Sequence, residues 1–176
     1  TDAQLNTVAG TNAGDSFTGT DAIENTLLGY NAGTAITTAD YNTALGSKSL
    51  GSTTTGGNNV GVGRNALTTN TTGGDNTALG FAALALSTTA SGNTGVGSYA
   101  LFNNTTANSN TAVGYRGLEA VTTASGNTGV GYYALRQNTT GTVNTALGAS
   151  ALPVNTTGTQ NTGLGYASLN ANTTGS

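Results

Sequence analysis

Paired carboxylates are the first chemistry to look for here, since two of them facing one cleft can share the acid and base roles of glycoside hydrolysis. Asp21, Glu24 and Asp40 lie near one another, but only Asp75 and Glu119 follow residue 40. Solvation of an acidic N-terminal stretch accounts for the first three, and the last two are too far apart to form a pair. Histidine and cysteine are absent, which removes the commonest base and the commonest reactive thiol. The oxygen donors do not recur as a ligand set, so no metal site is expected. Gly61-Val62-Gly63 lacks the glycine spacing, the lysine and the following helix of a phosphate loop. No catalytic or cofactor-binding residue is expected, and the chain does not read as an enzyme.

Aromatic residues are better placed to act. Tyr30, Phe81, Tyr115, Tyr132 and Tyr166 occupy one recurring position, with Tyr99 and Tyr133 one residue later in their own units. Such side chains can stack on sugars or anchor an interface, and they are the candidate ligand surface. Shielding a structural edge or a subunit seam is the plainer role for them. Arg64, Arg116 and Arg136 are too sparse to form a track for an anionic polymer. Asn-Thr-Thr at Asn70, Asn104, Asn138, Asn155 and Asn172 matches a glycosylation acceptor, but the repeat itself generates that match.

Composition narrows the class. Only 35% of the 176 residues are hydrophobic, 28 are glycine and 6% are charged, against about 25% charged in ordinary soluble domains. The net charge is −3, with Asp2, Asp15, Asp21, Glu24 and Asp40 near the start and just four basic residues in all. Four cations cannot line a nucleic-acid groove, and no apolar run approaches the ~20 residues of a membrane-spanning helix. Without cysteine there are no disulfides.

The positions just named belong to a repeat. Asn25, Asn42, Asn59, Asn76, Asn93, Asn110, Asn127, Asn144 and Asn161 follow one another at intervals of seventeen residues, without insertion. Asn6-Thr7-Val8-Ala9-Gly10 reads as a degenerate unit nineteen residues before Asn25. Counting each asparagine as position 1, position 2 is Thr except at Val60, and position 3 is small after Leu27. Position 4 is aliphatic: Leu45, Val62, Leu79, Val96, Val113, Val130, Leu147 and Leu164. Position 5 is Gly. Position 9 is Leu50, Leu67, Leu84, Leu101, Leu118, Leu135, Leu152 and Leu169, with Gly33 as the exception, and a Thr-Thr pair follows.

A helical reading fails, because glycine at this density costs about 1 kcal/mol each against alanine and the apolar stripe is too narrow. Asn-Thr-small-aliphatic-Gly alternates as a short strand does, and the segment around the position-9 leucine, such as Ala66-Leu67, suits a second strand. Glycine and asparagine supply the corners. The fold class is therefore all-β, a parallel β-solenoid in which nine 17-residue coils span residues 25–176, preceded by an irregular segment over 1–24 able to cap one end. Position-4 aliphatics and position-9 leucines are expected to form two apolar core columns, the asparagines an amide stack, and the threonines an outer hydroxyl stack.

Two aliphatics per coil make a thin core. The face carrying position 3 and the position-5 glycine is expected to admit another copy of the chain, giving a homo-oligomer. Both ends of a bare solenoid are open edges that invite end-to-end stacking or continuation of the chain.

The units "NTAVGYRGL", "NTGVGYYAL" and "NTALGFAAL" resemble the head repeats of trimeric autotransporter adhesins and, more closely, repeat blocks of bacteriophage tail fibres. The resemblance covers about residues 25–176 and rests on Asn110, Ala112, Val113, Gly114 and their equivalents. It implies a left-handed parallel β-roll, three identical chains side by side, and a location on a virion or a bacterial surface. The function it implies is structural: a shaft or head segment that holds a receptor-binding end away from its base, with a cell-surface glycan or receptor as partner. The alternative is a binding module that uses the repeated threonine or aromatic surface for carbohydrate or ice.

Overall fold

The computed structural model describes residues 5–18 and 21–176; Asp2 and the start of the expected cap lie outside them. Among the described residues, ten three-residue strands follow one another: β1 (Thr7–Ala9), β2 (Thr26–Leu28), β3 (Thr43–Leu45), β4 (Val60–Val62), β5 (Thr77–Leu79), β6 (Thr94–Val96), β7 (Thr111–Val113), β8 (Thr128–Val130), β9 (Thr145–Leu147) and β10 (Thr162–Leu164). They form a single parallel sheet in sequence order. Register is one repeat throughout, as in Thr77↔Thr94 and Ala78↔Gly95. The protein is a parallel β-solenoid of about nine regular coils. The degenerate unit joins it, since Thr7 pairs with Thr26.

Each strand stops at position 5 for a reason visible in its backbone. Gly97 has φ 131, and a Cβ there would lie 2.5 Å from the carbonyl oxygen of Gly114. No L side chain fits such a bend under an overlying coil. The segment expected to form a second strand instead turns at position 9, where Leu67 and Leu101 have φ 52 and 53. A left-handed leucine costs about 1–2 kcal/mol. Offsetting this, its N–H donates to the next coil (Leu67 to Ala83 O, 3.0 Å) and its side chain is fully buried, which is worth about 1.5–3 kcal/mol.

The core differs from expectation in one respect. Position 3 points inward, where Ala44, Ala78, Ala112 and Ala146 are buried, and position 9 fills the interior with Leu67, Leu84, Leu101, Leu118, Leu135 and Leu152. The position-4 column lies on the outside: Leu45, Leu79 and Leu147 are exposed, Leu164 most of all, while Val62, Val96, Val113 and Val130 are half-exposed. The position-3 face is thus the wall of the core and cannot receive another chain. Volume explains the inversion. Leu84 Cδ1 would sit 3.4 Å from a Cβ on Gly95, and Leu118 Cγ 3.3 Å from one on Gly129. Each position-9 leucine therefore fills the space under position 3 of the following coil, leaving room there for hydrogen or methyl only.

Two irregularities of the coil that begins at Asn25 are one device. Leu27, large at position 3, is fully buried, and a Cβ on Gly33 at position 9 would lie 2.8 Å from both Leu27 Cδ atoms. The bulk has moved from one position to the other.

Asparagine stacking is internal and continuous. The Asn76 N–H donates to Asn59 Oδ1 at 3.1 Å, Asn93 to Asn76 at 3.0 Å and Asn110 to Asn93 at 3.0 Å. The same pattern runs through Asn25, Asn42, Asn127, Asn144 and Asn161. The amide nitrogen closes the coil: Asn93 Nδ2 donates to Ala107 O at 2.9 Å. A carboxamide suits the position, because its oxygen accepts from the following coil while its nitrogen donates within its own. The first threonine of most pairs turns its hydroxyl along the stack rather than outward. Thr71 Oγ1 donates to Thr88 O at 2.9 Å, and Thr88 Oγ1 to Thr105 O at 3.1 Å. The second threonine of each pair is exposed.

Candidate functional site

Position 5 bends the chain away from the sheet, so positions 6, 7 and 10 share the next face of the coil. Eight of the ten aromatic residues stand there; Phe17 and Tyr41 are the others. So do all four basic residues, Lys48, Arg64, Arg116 and Arg136. Beyond the degenerate unit at Asn6, Glu119 is the single acid at those positions. This collection stands out in a chain of net charge −3.

Of the five aromatics anticipated as a ligand surface, three join a cluster and two do not. Phe81 meets Tyr99 edge-on at 5.2 Å, and Tyr99 meets Phe102 at 5.4 Å and Tyr115 at 6.5 Å. Tyr115 stacks on Tyr132 at 5.7 Å, with planes 15° apart, and Tyr133 lies against both. Tyr30 and Tyr166 are exposed and belong to no such ring contact among the described residues. Phe102 was not anticipated. Its position 10 holds no other aromatic, so the repeat carries no signal for it.

Arginines lock the cluster. The Arg116 guanidinium lies 5.3 Å from both the Tyr99 and Tyr115 ring centres, and Arg136 lies 4.5 Å from Tyr133. Arg64 reaches Phe81 at 5.8 Å. Glu119 joins two of them, 3.1 Å from Arg136 Nε and 3.6 Å from Arg116 Nη1. Two cations against one carboxylate leave the centre positive. Although desolvation acts in the opposite direction, Glu119 and the neighbouring tyrosines hold Arg116 above its ordinary value. Hydrogen bonding with Tyr133, followed by desolvation, raises the Tyr132 phenol above the usual tyrosine range. Arg116 Nε is buried and has no hydrogen-bond partner.

Asp40 Oδ1 accepts the Ile23 N–H at 2.9 Å, a structural bond between coils. Among the described residues, no group of three or more acids, histidines or cysteines is placed to hold a metal, and no helix is long and apolar enough to cross a membrane. A groove between Asn31, Lys48 and Thr68 encloses about 200 Å³, less than the ~300–1,000 Å³ of ordinary small-molecule pockets. The exposed aromatic column is therefore the surface best equipped for recognition. It offers flat apolar rings, phenol hydroxyls and fixed cations, without a nucleophile or a paired acid.

Comparison with known proteins adds no family: no family model, no curated protein and no solved structure matches the chain.

Proposed function

We propose that the chain is a shaft or head segment of an extracellular fibre, such as a phage tail fibre or a bacterial surface adhesin. The observation that carries this reading is the unbroken register of ten parallel strands over one continuous asparagine ladder. First and last strands stand about 43 Å apart, at ~4.8 Å per coil. Such an object resists bending, which suits a spacer. Its partners on this reading are further copies of itself. The outward position-4 column supports side-by-side association, because Leu28, Leu45, Leu79, Leu147 and Leu164 form an exposed apolar strip beside threonines on one sheet. Strips of that kind mark contact surfaces.

Sedimentation velocity with negative-stain imaging tests the reading. The expected result is an elongated oligomer that dissociates when Leu45 and Leu79 are changed to Thr. A compact particle, or a monomer at every concentration, would remove it.

Ice binding is the second reading, favoured by one observation: Thr of position 2 and the aliphatic of position 4 share the outer face of the same ten-stranded sheet. Thermal hysteresis would support it, and its absence would end it.

A further inference from the structure

We infer that the aromatic and arginine column from Arg64 to Arg136 is a binding site for an extended acidic polysaccharide lying along the solenoid axis. This inference does not depend on the fibre reading or on oligomerisation.

Three features of the column select that ligand. Its rings are contiguous across four coils, from Phe81 through Tyr99 and Tyr115 to Tyr132 and Tyr133. Phe81 and Tyr115 are both 38% exposed and Tyr132 is 51% exposed, so each offers part of a ring to solvent. Pyranose rings carry faces of C–H bonds, slightly positive, that settle on the negative face of an aromatic ring, while phenol hydroxyls reach sugar hydroxyls. The column is also linear. A ligand engaging several rings must extend over roughly 15 Å or more at ~4.8 Å per coil, which a chain of sugars does and a single sugar does not.

The charge decides between neutral and acidic chains. Arg64, Arg116 and Arg136, too sparse by themselves to form a track for an anionic polymer, here flank a row of rings, and Glu119 is the acid that meets two of them. Guanidinium groups already held against aromatic faces lose little freedom when they meet a carboxylate or sulfate. Nucleic acid is disfavoured, because here the cations only supplement ring stacking on a sugar chain. A phosphate polymer draws its affinity from many neutralised phosphates, and the cluster has only a small net surplus of positive charge within an acidic protein. A second copy of this chain is disfavoured as well, since its overall negative charge is matched by identical cations on the surface it would have to meet.

The experiment is affinity electrophoresis and titration calorimetry of the full chain against polygalacturonate, dextran sulfate, neutral dextran and oligodeoxythymidylate. Binding to either acidic polymer, at least about tenfold tighter than to dextran and weakened by salt, is expected; the preferred polymer identifies the acidic group. Tyr115→Ala with Tyr132→Ala should weaken binding about tenfold or more, as loss of central aromatic anchors does, with the circular dichroism spectrum unchanged. Tyr166→Ala, outside the cluster, should leave binding unaltered. Glu119→Gln should strengthen binding several-fold by removing the competing carboxylate, an effect that a merely structural Glu119 would not produce. The inference is overturned by equal affinity for dextran and the acidic polymers, by no affinity for either, or by preference for the oligonucleotide. It is also overturned if the tyrosine substitutions alter sedimentation but not glycan binding, which would make the column an interface between copies.

Discussion

Asn93 shows how much one residue can carry in this architecture. Its Oδ1 accepts the Asn110 N–H at 3.0 Å, its Nδ2 donates to Ala107 O at 2.9 Å, and it is fully buried. Asn93→Ala strands a donor and an acceptor away from water, and a loss of about 2–4 kcal/mol is expected, read by urea unfolding. Asn93→Asp should not restore it, because a carboxylate accepts from Asn110 but cannot donate to Ala107. A different readout applies to Tyr132, whose phenol is held above the ordinary range first by Tyr133 and then by desolvation. A raised value means that the folded protein favours the neutral phenol. The stabilisation is complete below the unfolded-state value near 10 and disappears as pH climbs through the folded value. Absorbance titration should therefore show a phenol that ionises above the usual tyrosine range, and Tyr133→Phe should lower its midpoint.

Among elements, the coil is the unit of compensation. Gly33→Leu would drive a side chain into Leu27, whose Cδ atoms stand 2.8 Å from the added Cβ, with a cost of about 1–3 kcal/mol for overpacking. Leu27→Ala in the same chain should recover most of that loss by restoring the arrangement of the later coils, and a double-mutant cycle measures the coupling. This pair also shows what the sequence made legible. Period, strand position and the asparagine stack could be read directly, because backbone stacking demands equivalence at every unit. Which side of the strand faces inward could not. Alternation at Thr-Ala-Leu allows either face, and the larger Leu45 seemed the natural core residue by size alone. The deciding volume belongs to Leu50, placed beneath the next strand by a left-handed turn that leucine composition does not announce. The aromatic positions were visible as a column, but their clustering with Phe102 and the arginines depended on side chains from adjoining coils meeting around a bend.

Across the whole molecule, the two side-chain ladders run in opposite senses. Asparagine N–H groups donate toward the preceding coil, as Asn110 does to Asn93, whereas threonine hydroxyls donate toward the following one, as Thr71 does to Thr88. Interior coils are thereby tied on both sides by equivalent backbone and asparagine bonds, so a complete unit can be removed without disturbing the backbone stacking of its neighbours. Deleting residues 93–109 brings Asn110 over Asn76 and should give a folded rod shorter by about 4.8 Å, measurable by small-angle scattering. Deleting only 93–101 places unlike positions over one another and should abolish cooperative unfolding. Since each winding hands upward the groups it received from below, extension is a matter of copy number. An in-frame duplication of seventeen codons adds one rung and asks for no compensating change elsewhere, so lineages can vary the reach of this molecule while inheriting its cross-section intact.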